Sequence, residues 1–250
     1  MNNNTEKIID EVIEAHGGID RWKSLVAVEA VISASGFLFT AKRRPAQSGV
    51  RVRAFRDEPR FIACDFPEPG HRSELIGDKE VRILDSRGNV IASRINPRAA
   101  FKSLRSTFYW DDLDFIYFGG YAEWNYLLTP FIFLRDGFKF KVLEPIAGIP
   151  DSWLTLEVTF PDDLPTHCKR QIFYFDEKRL LRRLDYTAEV VGSWAKGVHL
   201  CEGYRDFHGF KVPTLRTVKP HFYGARYLPF PTLIFIEVHD FKPIERGDML

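Results

Sequence analysis

"VRAFRDEPRFIACDFPEPGHRSELIGDKEVRILDSRGNVIASR", residues 52–94, decides how this chain is read. Its runs, part of Gly49–Arg56 and then Arg60–Asp65, Arg72–Ile76, Val81–Asp85 and Val90–Arg94, alternate apolar and polar side chains. That period of two is the pattern of half-buried strands. Between the runs stand "RDEP", "PEPG", "GDK" and "SRGN", residues suited to tight or left-handed turns. Connections this short cannot carry a parallel crossover, so the strands form an antiparallel meander.

Working outward, the same period starts at Val26. It predicts strands over Val26–Ala34 and Phe37–Ala41 upstream of the quoted stretch. Downstream it resumes in Phe138–Glu144, Trp153–Phe160, Lys169–Phe175, Leu180–Val191, Ala195–Phe207, Lys211–Lys219 and Thr232–Phe241. The chain therefore divides into an N-terminal helical segment (1–25), a first meander (26–95), a helical insert (96–135) and a second meander (136–243), within one domain over 1–250. A sheet of more than about ten strands must curl or split to hide its faces. With few helices to cover it, the expected fold is mainly β (α+β). It is a large curled antiparallel sheet or half-barrel, with the N-terminal helix and the insert as lid or plug.

In the first segment Asn3 and Glu6 have capping-box spacing, Ile8, Ile9, Val12 and Ile13 share a face, and Gly17–Gly18 supplies a stop. The insert opens with "NPRAAF", a helical turn with proline first. Then "WDDLDFIYFGGYAEWNYLLTPF", residues 110–131, begins with Asp111, Asp112 and Asp114 where a helix N-terminus favours negative charge, and ends at Thr129–Pro130. Nine of the nineteen residues from Phe108 to Tyr126 are aromatic. Leu113, Phe115, Ile116, Phe118, Tyr121, Trp124, Leu127 and Leu128 cannot share one stripe, so this helix is buried on all sides or faces a cavity. Gly119–Gly120 costs about 1 kcal/mol per residue there, which close packing or a hinge would offset. Rings with polar tips suit the lining of a mostly apolar pocket, which makes Trp110, Tyr117, Tyr121, Trp124 and Tyr126 candidate ligand-binding residues. The bland alternative is a core helix.

Charged groups on apolar surfaces are the other candidates. Asp112 and Glu123 lie in this apolar stretch, where a buried acid has a raised pKa and can act as general acid or base. The alternation in Leu180–Val190 places Arg182 and Tyr186 with its apolar residues. In Val198–Tyr204 it places Glu202 and Tyr204 beside Val198 and Leu200, and Arg216 shares a face with Val212 and Val218. Such charges must pair with each other or meet a ligand. His199 is a further candidate acid–base partner.

Composition narrows the classes. The net charge of +1, with both signs interleaved, gives no basic stripe for nucleic acid. Three cysteines and no apolar run near the ~18 residues of a membrane span fit a cytoplasmic protein without an integral membrane segment. The first residues carry acids among their apolar positions and form no signal peptide. No zinc-ligand spacing, nucleotide-binding glycine motif or nucleophile elbow is present, so neither metal nor cofactor is expected.

"HGGIDRW" (16–22), "YWDDLDFIYFGGYAEWNYLLTPF" (109–131), "LEVTFPDDLPTHCKRQIFYFDEKRLLRRLDY" (156–186) and "YRDFHGFKVPT" (204–214) together resemble a widespread bacterial family of cytosolic proteins without an assigned function. The layout is also similar to the LolA/LolB-like lipoprotein carriers. That resemblance implies a curled sheet whose concave face holds acyl chains under a helical lid. The expected function is binding of a hydrophobic or aromatic small molecule. The alternative is a cofactor-independent isomerase, cyclase or hydrolase using an interior acid with a tyrosine or histidine partner.

Overall fold

The computed structural model describes residues 3–249, with side chains from 5 to 247. In chain order the strands are β1 (Leu25–Ser35), β2 (Gln47–Phe55), β3 (Arg60–Cys64), β4 (Arg72–Ile76), β5 (Glu80–Leu84), β6 (Val90–Ile95), β7 (Lys139–Val142), β8 (Leu154–Thr159), β9 (Arg170–Phe175), β10 (Leu181–Thr187), β11 (Lys196–Phe207), β12 (Phe210–Pro220) and β13 (Ile234–Glu245). They form one antiparallel sheet in the order β6-β5-β4-β3-β2-β1-β13-β12-β11-β10-β9-β8-β7. The sheet is curled but unclosed. Each half is a meander, and the halves join where β1 pairs with β13. The two sheet edges, β6 and β7, are consecutive in the chain. The segment between them must travel from one edge to the other, and it does so across the concave face.

Alternation sorts the two faces. Along β1, Val28, Ala30, Ile32 and Ala34 are buried, while Glu29, Val31 and Ser33 between them are part-exposed. The convex face is tied by ion pairs, among them Arg53–Glu29 at 2.8 Å and Arg82–Glu74 at 2.7 Å.

The helices are α1 (Asn3–His16), α2 (Ile19–Lys23), α3 (Phe37–Ala41), α4 (Leu104–Phe108) and α5 (Asp112–Leu128). In α1, Ile9, Val12 and Ile13 enter the core, and Gly18 N–H bonds Ile13 O at 3.0 Å to end the helix. The Asn3 side chain of the expected capping box lies outside the described side chains. A 3₁₀ turn at Pro97–Lys102 matches the "NPRAAF" reading. Among the described residues no helix is long and apolar enough to cross a membrane.

Phe37–Ala41 is helix α3, not the expected strand. Gly36 adopts φ +132°, and a Cβ there would lie 2.5 Å from Leu233 O, so the chain turns out of the sheet at that point. Phe37 N–H and Leu38 N–H still bond Thr232 O and Leu233 O at 2.9 and 3.0 Å, after which the backbone coils. A five-residue apolar run does not separate strand from helix by periodicity.

Candidate functional site

Helix α5 fills the concave face. Its N-terminus is a reciprocal capping box: Asp114 N–H donates to Asp111 Oδ1 at 2.9 Å, and Asp111 N–H donates to Asp114 Oδ2 at 3.3 Å. Asp114 is fully buried and pairs with Arg94 and with Arg105, the latter at 2.6 Å. Burial is the main cause that raises its pKa, with the Asp111 charge adding to it. Asp112, expected as an interior acid, instead points outward with 47% of its side chain exposed and pairs with Arg44.

Fourteen of the seventeen residues of α5 are buried, which is the physical meaning of its apolarity all round. Most of its rings are packing groups. Trp124 Nε1 donates to Phe55 O at 2.9 Å and Trp110 Nε1 to Ser106 O at 2.9 Å, both with fully enclosed indoles. Tyr117 donates to Asp78 and receives Arg98 at 3.4 Å.

Tyr121, Tyr126 and Tyr186 meet around His167. Tyr121 Oη is 3.0 Å from His167 Nδ1, Tyr126 Oη is 2.7 Å from Nε2 and 3.0 Å from Tyr186 Oη, and the Tyr186 ring stacks on the imidazole at 4.1 Å. Burial depresses the His167 pKa to about 3, with the Arg98 charge adding to it, and burial raises the three phenols. All four groups are neutral near pH 7. His167 was not singled out in the sequence because the network joins three distant segments.

His199 is fully buried with its ring edge-on to Tyr126 at 4.5 Å, and neither ring nitrogen has a hydrogen-bond partner among the described residues. Burial is also the first cause of its strongly depressed pKa.

The late strands partly reverse the expected faces. Glu202 is exposed on the convex side, because it is His199 and Cys201, not Val198 and Leu200, that look inward. Apolar residues on both faces of β11 hide the register in the sequence; Val198 is buried on the convex face beside Lys219. Arg182 is held by Asp176 at 2.7 Å and lies over the Tyr204 ring, whose hydroxyl donates to Leu181 O at 2.7 Å. A register irregularity between Leu181 and Arg183 breaks the alternation there. Arg216 is inward and buried: it donates to Tyr126 O at 3.0 Å and covers the Tyr126 ring.

One side of α5 is not fully filled. A cleft with an internal void of about 60 Å³ runs between α5 and β1, β2, β3 and β13, walled by Ile32, Ala34, Val52, Phe61, Ala63, Ile234 and Ile236. From α5 it receives Phe115, Gly119, Ala122, Glu123 and Tyr126. Glu123 is its charged group. That side chain is 7% exposed and makes no hydrogen bond or ion pair among the described residues. Burial raises its pKa to about 7, while the Arg216 charge pulls the other way. Asp112 lies outside this cleft, and so do Trp110, Tyr117, Tyr121 and Trp124, leaving Glu123 and Tyr126 as the two expected site residues of α5 that line it. The strand residues that form its walls carry only the ordinary period-two signal.

The paired glycines differ in role. A Cβ at Gly120 would lie 3.2 Å from Leu75 Cβ, whereas one at Gly119 would meet nothing within 4 Å. Gly119→Ala should therefore stabilise the protein by up to about 1 kcal/mol through helix propensity. Gly120→Ala should gain less or destabilise, and denaturant melts of the two variants check the difference.

Among the described residues no group of three or more His, Cys, Asp or Glu is placed to hold a metal ion. No protein-family model and no curated protein matches the chain. Two solved structures are similar over nearly the whole length. A DUF1329 family protein from Desulfovibrio piger is 10% identical with a TM-score of 0.50, over 95% of this chain and 92% of that one. A LolA superfamily protein from Nitrosomonas europaea is 13% identical with a TM-score of 0.51, over 98% of this chain and 95% of that one. At such identities the likeness is one of fold: the chain has a LolA-like architecture, a curled, unclosed antiparallel sheet with a helix laid across its concave face.

Proposed function

We propose that the chain binds a small, largely apolar molecule in the cleft between α5 and strands β1–β3 and β13, with Glu123 as its polar anchor. The observation that carries this reading is the Glu123 carboxyl, buried in an otherwise apolar wall without a protein partner. An unpaired buried acid costs stability and is retained where a ligand uses it. Apolar walls with few convergent polar groups are the usual chemistry of a small-molecule site. The LolA-like fold supports the reading.

A void of about 60 Å³ is several times the ~10–15 Å³ that a single water needs. A longer ligand extends from it toward the mouth, where Gln47, Val50 and Phe66 are already part-exposed, and side-chain rotation is a common adjustment on binding.

Gly119→Phe tests the site, because Gly119 lines the cleft and a Cβ there meets nothing within 4 Å. Titration with a fluorescent fatty acid should show saturable binding by the wild type. Gly119→Phe should lose roughly tenfold or more in affinity while its thermal midpoint holds. Equal affinity in both proteins would remove the cleft as the site.

A further inference from the structure

The mouth of the cleft lies at one rim of the sheet. The β1–β2, β10–β11 and β12–β13 connections leave the sheet at this end, as do β3–β4, β5–β6 and β8–β9, as antiparallel order requires. The cleft residues Ile32, Ala34, Gln47, Val50, Ile234 and Ile236 belong to the strand ends that reach it.

This rim carries an unusual amount of exposed aromatic surface. Phe37 is 53% exposed, Trp194 77%, Phe222 65%, Tyr223 78% and Phe230 80%. The three aromatic connections, β1–β2, β10–β11 and β12–β13, are tied together: His221 N–H bonds Lys196 O at 3.0 Å, and Phe37 N–H bonds Thr232 O at 2.9 Å. No acid occurs between Ala30 and Arg56 or between Phe207 and Ile236, and the acids of the β3–β4 connection at this end, Asp65 and Glu68, lie on the far side of β2 from the aromatic connections. The acid of the Trp194 connection, Glu189, is paired with Arg98 at 3.2 Å. Arg43, Lys196 and Arg226, on or beside these same connections, are exposed, with no carboxylate paired to them among the described residues.

We propose that this rim docks on an anionic lipid bilayer. Tryptophan and tyrosine settle at the headgroup level, where one end of the ring is apolar and the other wet. Each nearby Lys or Arg adds attraction to an anionic leaflet. A protein partner matched to the same bases would need acids facing the aromatic patch, whereas a bilayer offers both an apolar layer and negative headgroups in one surface. Docking there sets the cleft mouth against the source of apolar ligands; that last step rests on the cleft reading, while the docking itself does not.

The test is co-sedimentation of the full chain with phosphatidylcholine vesicles, with and without a quarter of phosphatidylserine. The wild type should sediment with the anionic vesicles and be released by high salt. The triple variant Trp194→Ser, Tyr223→Ser, Phe230→Ser and the pair Lys196→Glu, Arg226→Glu change only exposed side chains. Each should weaken partitioning roughly tenfold or more at an unchanged thermal midpoint. Gly119→Phe should sediment like the wild type, so a failed ligand titration and a failed docking are told apart. Absent sedimentation, or partitioning that the rim variants leave unchanged, overturns the proposal. A wild type that is dimeric in buffer and monomeric in the triple variant, without vesicle binding, assigns the patch to a second copy and overturns it too.

Discussion

Trp124→Ala should cost about 3–5 kcal/mol of folding stability, the range for truncating a large buried ring. At this chain length that is a fall of roughly 10 °C in the thermal midpoint. Trp124 is fully enclosed and its indole N–H holds Phe55 O at 2.9 Å, so truncation leaves both a cavity and an unpaired carbonyl. Trp124→Phe keeps most of the volume and should cost less. The experiment separates two meanings of the aromatic density in α5. A ring that lined a ligand site would tolerate truncation, with a change under about 1 kcal/mol and a lost ligand. Ligand titration of the folded variant below its midpoint completes the comparison. The enclosure of Trp110, Tyr117 and Tyr121 places them with Trp124 as packing groups.

Glu123→Gln should have the opposite sign, and an effect that depends on pH. In the folded protein Glu123 titrates at about 7, against 4.5 when unfolded. Between those values the native state holds a proton that the unfolded chain has lost, so stability falls as pH rises, by about 1.4 kcal/mol per unit. The stabilising effect of the neutral acid is full below the unfolded value and is lost as pH passes the folded one. The total is about 3 kcal/mol. Glutamine removes this term. It should therefore stabilise the protein above the folded pKa of about 7 and change little below 4.5. Urea melts across that window check it, and parallel wild-type and variant curves would show that the carboxyl is solvated. The same charge bears on binding: an ionised Glu123 makes the cleft a poorer host for an uncharged apolar ligand.

The helix cap shows where sequence reasoning is strong. Three acids before an apolar run marked the start of α5, and Thr129–Pro130 its end, because capping is decided within four residues. The acid expected inside was Asp112, and the structure buries Asp114 instead. Asp112 and Asp114 are two apart on a helix and so point in different directions, and only the position of Arg94 and Arg105 makes Asp114 the buried one. Glu123 was legible as an anomaly, a charge among rings. The cleft it faces was not, since its other wall comes from strands more than forty residues away on one side and a hundred on the other.

The sequence by itself determined that this is a long antiparallel meander in two halves with an apolar helix between them. Strand period, turn chemistry and caps are local properties that nearest neighbours enforce. Tertiary structure alone decided that β13 closes onto β1, that α5 is thereby drawn across the concave face from one sheet edge to the other, and which face of β11 is inside. Those outcomes depend on pairing register and curl, set by the sum of contacts between distant segments. A one-residue shift in register, invisible to local pattern where both faces are apolar, exchanges inside for outside.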